Sequence, residues 1–187
     1  MILTGSAAFA QLAKSTFLLG GTTSYLSGSY TTASGLQKHK TSTLLLSPEA
    51  GYFILPKLVA GLRLQFSDDR DKTVENNGYG GLPSDRTTSL NIAPFVRYYL
   101  LNQNNKLINC FVEGSYGFGK IKIYNPLIEN STHIFYIVAG PEIYFNSTVG
   151  IEFTIGYYKS YTTDFNVTTI GLQASIGFQI HLGRDNP

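Results

Sequence analysis

Few residues in this chain have the type and spacing that chemistry requires. The three histidines, His39, His133 and His181, are far apart in sequence. None has a serine or an acid at a spacing that would put a nucleophile and its base on one strand face. Asp68, Asp69, Asp71 and Glu75 are followed by Asn76, Asn77 and Gly78. This run supplies oxygen ligands, but its spacing is too irregular for a calcium loop, and a solvated segment is the plainer reading. Gly78-Tyr79-Gly80-Gly81 precedes no helical pattern and so is not a phosphate loop. No catalytic, metal or cofactor constellation is expected. The most informative polar residues are six charges inside alternating segments: Glu49, Arg63, Arg97, Glu113, Glu142 and Glu152.

The elements that must position those six are strands. Period-two alternation recurs while helical periodicity is nearly absent. Leu44, Leu46, Pro48, Ala50 and Tyr52 form one face, as do Leu90, Ile92, Pro94, Val96 and Tyr98, and again Phe135, Ile137, Ala139, Pro141, Ile143 and Phe145. The three proline-containing segments recur at a spacing that fits a hairpin plus one long connection per repeat. Each is followed by a short polar turn and a second alternating segment. A strand at about Thr16 to Tyr30 and another at about Thr168 to Leu182 complete eight. Proline cannot donate to a ladder, so bulges or pairing irregularities are expected at all three. Long polar connections are expected near residues 31–41, 67–88, 120–132 and 160–167, alternating with short turns.

Composition selects the environment. Charged residues are only 14% of the 187-residue chain, with 13 Tyr, 12 Phe and no Trp. No run approaches the length of a membrane helix, about 18 apolar residues. A formal net charge of +2 does not suggest nucleic acid, and the single cysteine, Cys110, precludes an internal disulfide. All six strand charges fall opposite the continuous apolar face. A base on a lipid-facing midplane would cost about 2–4 kcal/mol, so the apolar face is expected to meet lipid and the charges to fill the lumen. A soluble barrel would carry a far more charged exterior. Tyr25, Tyr52, Tyr98, Tyr116 and Tyr157 lie toward strand ends on the lipid face, where an aromatic girdle belongs. The expectation is an all-β, eight-stranded, antiparallel, up-and-down transmembrane β-barrel over residues 11–187. Residues 1–10 read as the remnant of a truncated signal peptide, with Ala8-Phe9-Ala10 as its cleavage site. An interior of this size is just filled by side chains, so the six charges read as a structural network and not as a pore lining.

Ser47-Pro-Glu-Ala-Gly-Tyr-Phe53, Pro94-Phe-Val-Arg-Tyr-Tyr99, Phe111-Val-Glu-Gly114 and Gly171-Leu-Gln-Ala-Ser-Ile-Gly-Phe178 together resemble the porin-family outer-membrane β-barrel domain, in the OmpA/OmpX-like group of eight-stranded barrels. The resemblance implies a bacterial outer-membrane location, a monomer, no cofactor, and contact with the barrel assembly machinery during biogenesis. It carries over no catalytic residue. Members usually close on an aromatic residue, whereas this chain passes His181-Leu182 into Gly183-Arg-Asp-Asn-Pro187. A structural or surface-interaction role through the long extracellular loops is therefore expected. A narrow pore or small-molecule conduit is one alternative, and a lipid A-modifying barrel enzyme is another. Lys38, Lys40, Lys120 and Lys122, with Arg70, Lys72, Arg86 and Lys159, fall in or beside the long loops. They could meet lipopolysaccharide phosphates, although ordinary solvated charge is the plainer reading.

Overall fold

The computed structural model describes residues 16–31, 37–76, 85–101, 107–124, 127–146, 148–163 and 167–183. Eight strands follow one another: β1 (Phe17–Thr31), β2 (Gln37–Leu55), β3 (Leu58–Asn76), β4 (Asp85–Tyr99), β5 (Ile108–Tyr124), β6 (Leu127–Tyr144), β7 (Val149–Thr162) and β8 (Val167–Leu182). Each pairs antiparallel with its neighbours in sequence, and β8 returns to β1 to close the barrel. The expected architecture is thus present, without a helix among the described residues.

The alternation read from the sequence decides which side chains turn inward. On β4, Asn91, Ala93, Phe95, Arg97 and Tyr99 are buried, while Leu90, Ile92, Val96 and Tyr98 between them are exposed. Tyr25, Tyr52, Tyr98, Tyr116 and Tyr157 all lie on the outside. An exterior of Leu, Ile, Val, Phe and Tyr around an interior holding charge is the reverse of a soluble barrel, and it is stable only against hydrocarbon. The interior at the short-turn end is packed by Leu18, Phe53, Val59, Phe95, Tyr99 and Phe111.

The turns at that end have local causes. Pro56 and Lys57 link β2 to β3, with Lys57 in the left-handed region at φ 68°. Asn109 Oδ1 accepts from the amides of Leu101 and Cys110, at 3.0 and 2.8 Å. Asn146 Oδ1 accepts from the amides of Thr148 and Val149, both at 2.8 Å, an Asx turn that starts β7.

One expectation is corrected, and another is met in one of its two forms. The connections at the other end are shorter than the polar stretches implied, because the strands continue through much of them. β2 begins at Gln37, β3 runs to Asn76, β5 reaches Tyr124 and β6 starts at Leu127. A strand needs only about 9–11 residues to cross a bilayer, and beyond it both faces are wet, so the hydrophobic alternation fades while the ladder persists. The prolines make no bulge, but each brings the expected pairing irregularity, a gap in one of its two ladders. The β2–β3 register shifts fall at Lys38/His39 and Phe53/Leu55. At Pro48 that ladder passes from Leu46↔Phe66 to Glu49↔Arg63 in unchanged register. Pro94 and Pro141 likewise interrupt pairing only toward β5 and β7. Each proline keeps its partner on the opposite side, Gly21, Leu62 or Cys110, so the missing N–H affects a single ladder.

Candidate functional site

All six strand charges project into the lumen, at the level just above the apolar packing. Arg97 is the hub and is fully buried. Its Nε donates to Glu113 Oε2 at 2.9 Å, Nη1 to Glu152 Oε2 at 3.0 Å and Nη2 to Glu49 Oε1 at 2.8 Å. Its guanidinium lies 4.2 Å from the centroid of the Phe111 ring. Arg63 donates from Nε to Glu49 Oε2 at 2.7 Å, its Nη2 also bonds Glu49, and its Nη1 lies 2.7 Å from Glu113 Oε1 in an ion pair. The fork of each guanidinium therefore spans two or three carboxylates, which a lysine could not do.

Register produces this arrangement. Glu49 faces Arg63 across β2–β3, Arg97 faces Glu113 across β4–β5, and Glu142 faces Glu152 across β6–β7. Glycines beside the carboxylates make room for them. A Cβ on Gly177 would stand 2.5 Å from Glu152 Cγ, and one on Gly150 would stand 2.6 Å from Glu142 Oε1. A Cβ on Gly20 would collide with Gln179.

The fourth carboxylate, Glu142, bonds no arginine. Its Oε1 lies 2.7 Å from His181 Nε2, and its Oε2 accepts from the Tyr144 hydroxyl at 3.3 Å. His181 is buried and its ring packs beside Tyr144, Phe53 and Tyr99. Gln179 Nε2 donates to Glu49 Oε1 at 2.7 Å, tying β8 to β2 across β1. His181, Tyr144 and Gln179 are the members that charge-based reading missed. Their signal was parity, since each occupies a lumen-facing position of its strand.

A second arrangement lies outside, one or two outward positions beyond the apolar belt. Asp68 accepts from Arg70 and from Arg86, with Arg70 Nη2 at 2.7 Å and Arg86 Nε at 2.9 Å. Their hydrogen bonds hold its carboxyl down at about 2. Lys120 and Lys122 both bond Glu129, the latter at 3.2 Å, which lowers the Glu129 pKa. Lys40 and Lys72 stand directly opposite each other on β2 and β3, both exposed. Lys38 belongs to β2, but its side chain lies outside the described residues. Asp68 faces outward while Asp69 and Asp71 face the lumen, where they meet Ser67 and His39. The aspartates therefore do not converge on a cation.

The family model for the outer membrane protein beta-barrel domain matches residues 1–178. The chain belongs to that family. Among solved structures, this outer-membrane barrel is similar to Neisserial surface protein A (NspA), at TM-score 0.50 and 11% identity, over 89% of this chain and 96% of that one. It is also similar to the N-terminal β-barrel domain of Pseudomonas aeruginosa OprF, at TM-score 0.46 and 12% identity, over 90% of this chain and 98% of that one. At such identities the likeness concerns the fold alone. A comparison with curated protein sequences finds no match.

Proposed function

We propose that this protein is a non-conducting, non-catalytic scaffold of the bacterial outer membrane that acts at its extracellular end by contact with lipopolysaccharide. One observation carries the reading: bases are placed in like-charged cross-strand pairs on the outward face just above the apolar belt. Lys40 faces Lys72, and Arg70 faces Arg86. Like charges directly opposite one another destabilise a sheet. Asp68 offsets the arginine pair. No ion pair joins Lys40 or Lys72 to an acid among the described residues. A phosphate at the membrane surface would supply the missing counter-charge, and Lys120 and Lys122 extend the same band, partly offset by Glu129.

Conduction has no comparable support, because Arg97, Glu49, Glu113 and Glu152 occupy the cross-section of a barrel that side chains can fill. For catalysis, His133 bonds Tyr116 and His181 bonds Glu142, neither of which makes a nucleophile–base pair with serine. The test compares thermal stability in vesicles with and without lipopolysaccharide. Wild type should gain stability from lipopolysaccharide, and the Lys40→Gln/Lys72→Gln variant should lose most of that gain. Raised salt should diminish it for both. An equal gain in the variant, or a measurable single-channel conductance of folded wild type, would overturn the proposal.

A further inference from the structure

The ladder that closes the barrel is incomplete. β1 pairs with β2 along its whole length, from Phe17↔Tyr52 to Thr31↔Lys38. β8 pairs with β7 from Ile180 back to Val167. Yet β1 and β8 share only seven pairs, from Phe17↔Leu182 to Thr23↔Ile176. Above that level, Ser24–Thr31 and Val167–Ser175 are extended strands without a partner on the side they share. The gap begins within the lipid-facing belt, since Ile176 lies beside Phe153, and rises to the aromatic girdle, where Leu172 lies beside Tyr157. It is therefore a lateral slit in the outer half of the membrane-spanning wall.

A cavity lies on each side of the slit. Inside is a vestibule of about 600 Å³ above the ionic network, walled mainly by hydroxyl and amide side chains such as Ser67, Asn91, Thr132, Ser160 and Gln173. Asp69 is its one carboxylate. On the lipid side is a groove of about 740 Å³, lined by apolar residues that include Pro141, Phe153, Ile155 and Ile176. The two cavities share Ser24, Tyr25 and Ala174, so they meet at the slit. Leu26, on the lumen-facing parity of β1, is 73% exposed there.

We infer that the slit is a lateral portal through which a single-tailed amphiphile with an uncharged, hydrogen-bonding head seats its head in the vestibule and its tail in the groove. The occupant follows from three features. The groove is continuous with the lipid-facing surface, so the chain that fills it is one already in the bilayer. Unpaired strand edges at membrane depth need hydrogen-bonding partners, and these can come only from a wet cavity or a polar head. Apart from Asp69 the vestibule offers neutral donors and acceptors, with no unpaired cation among the described residues, because Arg63 and Arg97 beneath it are already bound by carboxylates. Its volume lies within the ordinary range for small-molecule sites. The inference depends on membrane insertion and is independent of the lipopolysaccharide reading.

The chain has no Trp, so Tyr158→Trp, on the vestibule wall, gives a unique fluorophore. In phosphatidylcholine vesicles, a dibrominated monoacylglycerol should quench it saturably. Dibrominated phosphatidylcholine should quench Leu172→Trp, on the outer face, and leave Tyr158→Trp bright. Two obstructions should each weaken monoacylglycerol quenching by about tenfold or more. The first is Leu26→Cys/Gln173→Cys in a Cys110→Ser background, joined by oxidation or a short bis-maleimide. The second is Ala174→Phe, which fills the junction of the two cavities. Heat-modifiable gel migration verifies that each variant is folded. Absence of saturable quenching, equal quenching by the two-tailed lipid, or quenching indifferent to both obstructions would overturn the inference.

Discussion

Replacing Arg97 by Met removes the hub of the lumen network while keeping much of its stem. Arg97 is fully buried, bonds three carboxylates at 2.8–3.0 Å and lies over the Phe111 ring. After its removal, Glu49 and Glu113 still have Arg63, whereas Glu152 has no remaining guanidinium. Removing one partner of a buried ion pair typically costs about 3–5 kcal/mol, chiefly because the other charge is left without compensation. Arg97→Met should therefore lower unfolding stability by about 3–5 kcal/mol. If the stranded carboxylate is the cause, Arg97→Met/Glu152→Gln should recover about 1–2 kcal/mol of it, within the coupling range of residues in one network. Arg97→Lys should fall between, since one ammonium cannot reach all three acids. The assay is urea unfolding from vesicles, read by heat-modifiable migration and tyrosine fluorescence. An Arg97→Met barrel within about 1 kcal/mol of wild type, or a double variant whose losses simply add, would refute the reasoning.

Three other outcomes are expected. Gly177→Ala sets a methyl 2.5 Å from Glu152 Cγ and should cost about 1–3 kcal/mol through overpacking; a neutral result in the same urea assay would mean that Glu152 has another place to go. Lys57→Gly should raise stability by up to about 1 kcal/mol, because the φ of 68° there strains a residue with a Cβ, and an unchanged or lower urea midpoint would contradict this. Asp68, with its carboxyl held at about 2 by Arg70 and Arg86 against an ordinary value near about 4, ties the far ends of β3 and β4 together. A lowered folded-state pKa stabilises above the unfolded value and is lost as pH falls through the folded one. Hydrogen exchange at residues 67–71 and 85–89 should then rise between about pH 4 and about pH 2, and Asp68→Asn should show the raised exchange already at neutral pH. A variant with wild-type exchange at pH 7 would rule out the tie.

The wall of this barrel was legible in its sequence because lipid on one side and a filled lumen on the other impose a strict period of two. Glu49, Arg63, Arg97, Glu113, Glu142 and Glu152 could be placed inside for the same reason. The strand ends were not legible. Around Asp68, Arg70 and Lys72 both faces meet water, so alternation carries no hydrophobic contrast although the ladder continues to Asn76. The roles of Tyr144, Gln179 and His181 were only half legible. Parity aims them inward, but their contact with Glu142 or Glu49 depends on how strands distant in sequence come together around the lumen. The slit had no sequence signal at all. The pattern of a strand says which face it buries and is silent about whether an edge finds its neighbour.

Network and slit have a common explanation. A fully buried ionic cluster is a poor means of gaining stability, since well-packed apolar residues often do as well or better. Its effect on register is much stronger. Slipping a strand by one residue would turn Glu49 or Arg97 toward lipid, at about 2–4 kcal/mol for the arginine at the midplane and somewhat less for the acid. Slipping by two would keep the face but separate Glu49 from Arg63, or Arg97 from Glu113. The closing ladder runs from Phe17↔Leu182 to Thr23↔Ile176, and its middle pair is Gly20↔Gln179. At that level Gln179 reaches past Gly20 to Glu49. β1 and β8 are thus joined where the network holds them. Above it the lumen is lined mainly by hydroxyls and amides, with no ion pair spanning these two strands among the described residues, and there the seam is open. The closing ladder is thus confined to the level of the barrel that the charge network fills.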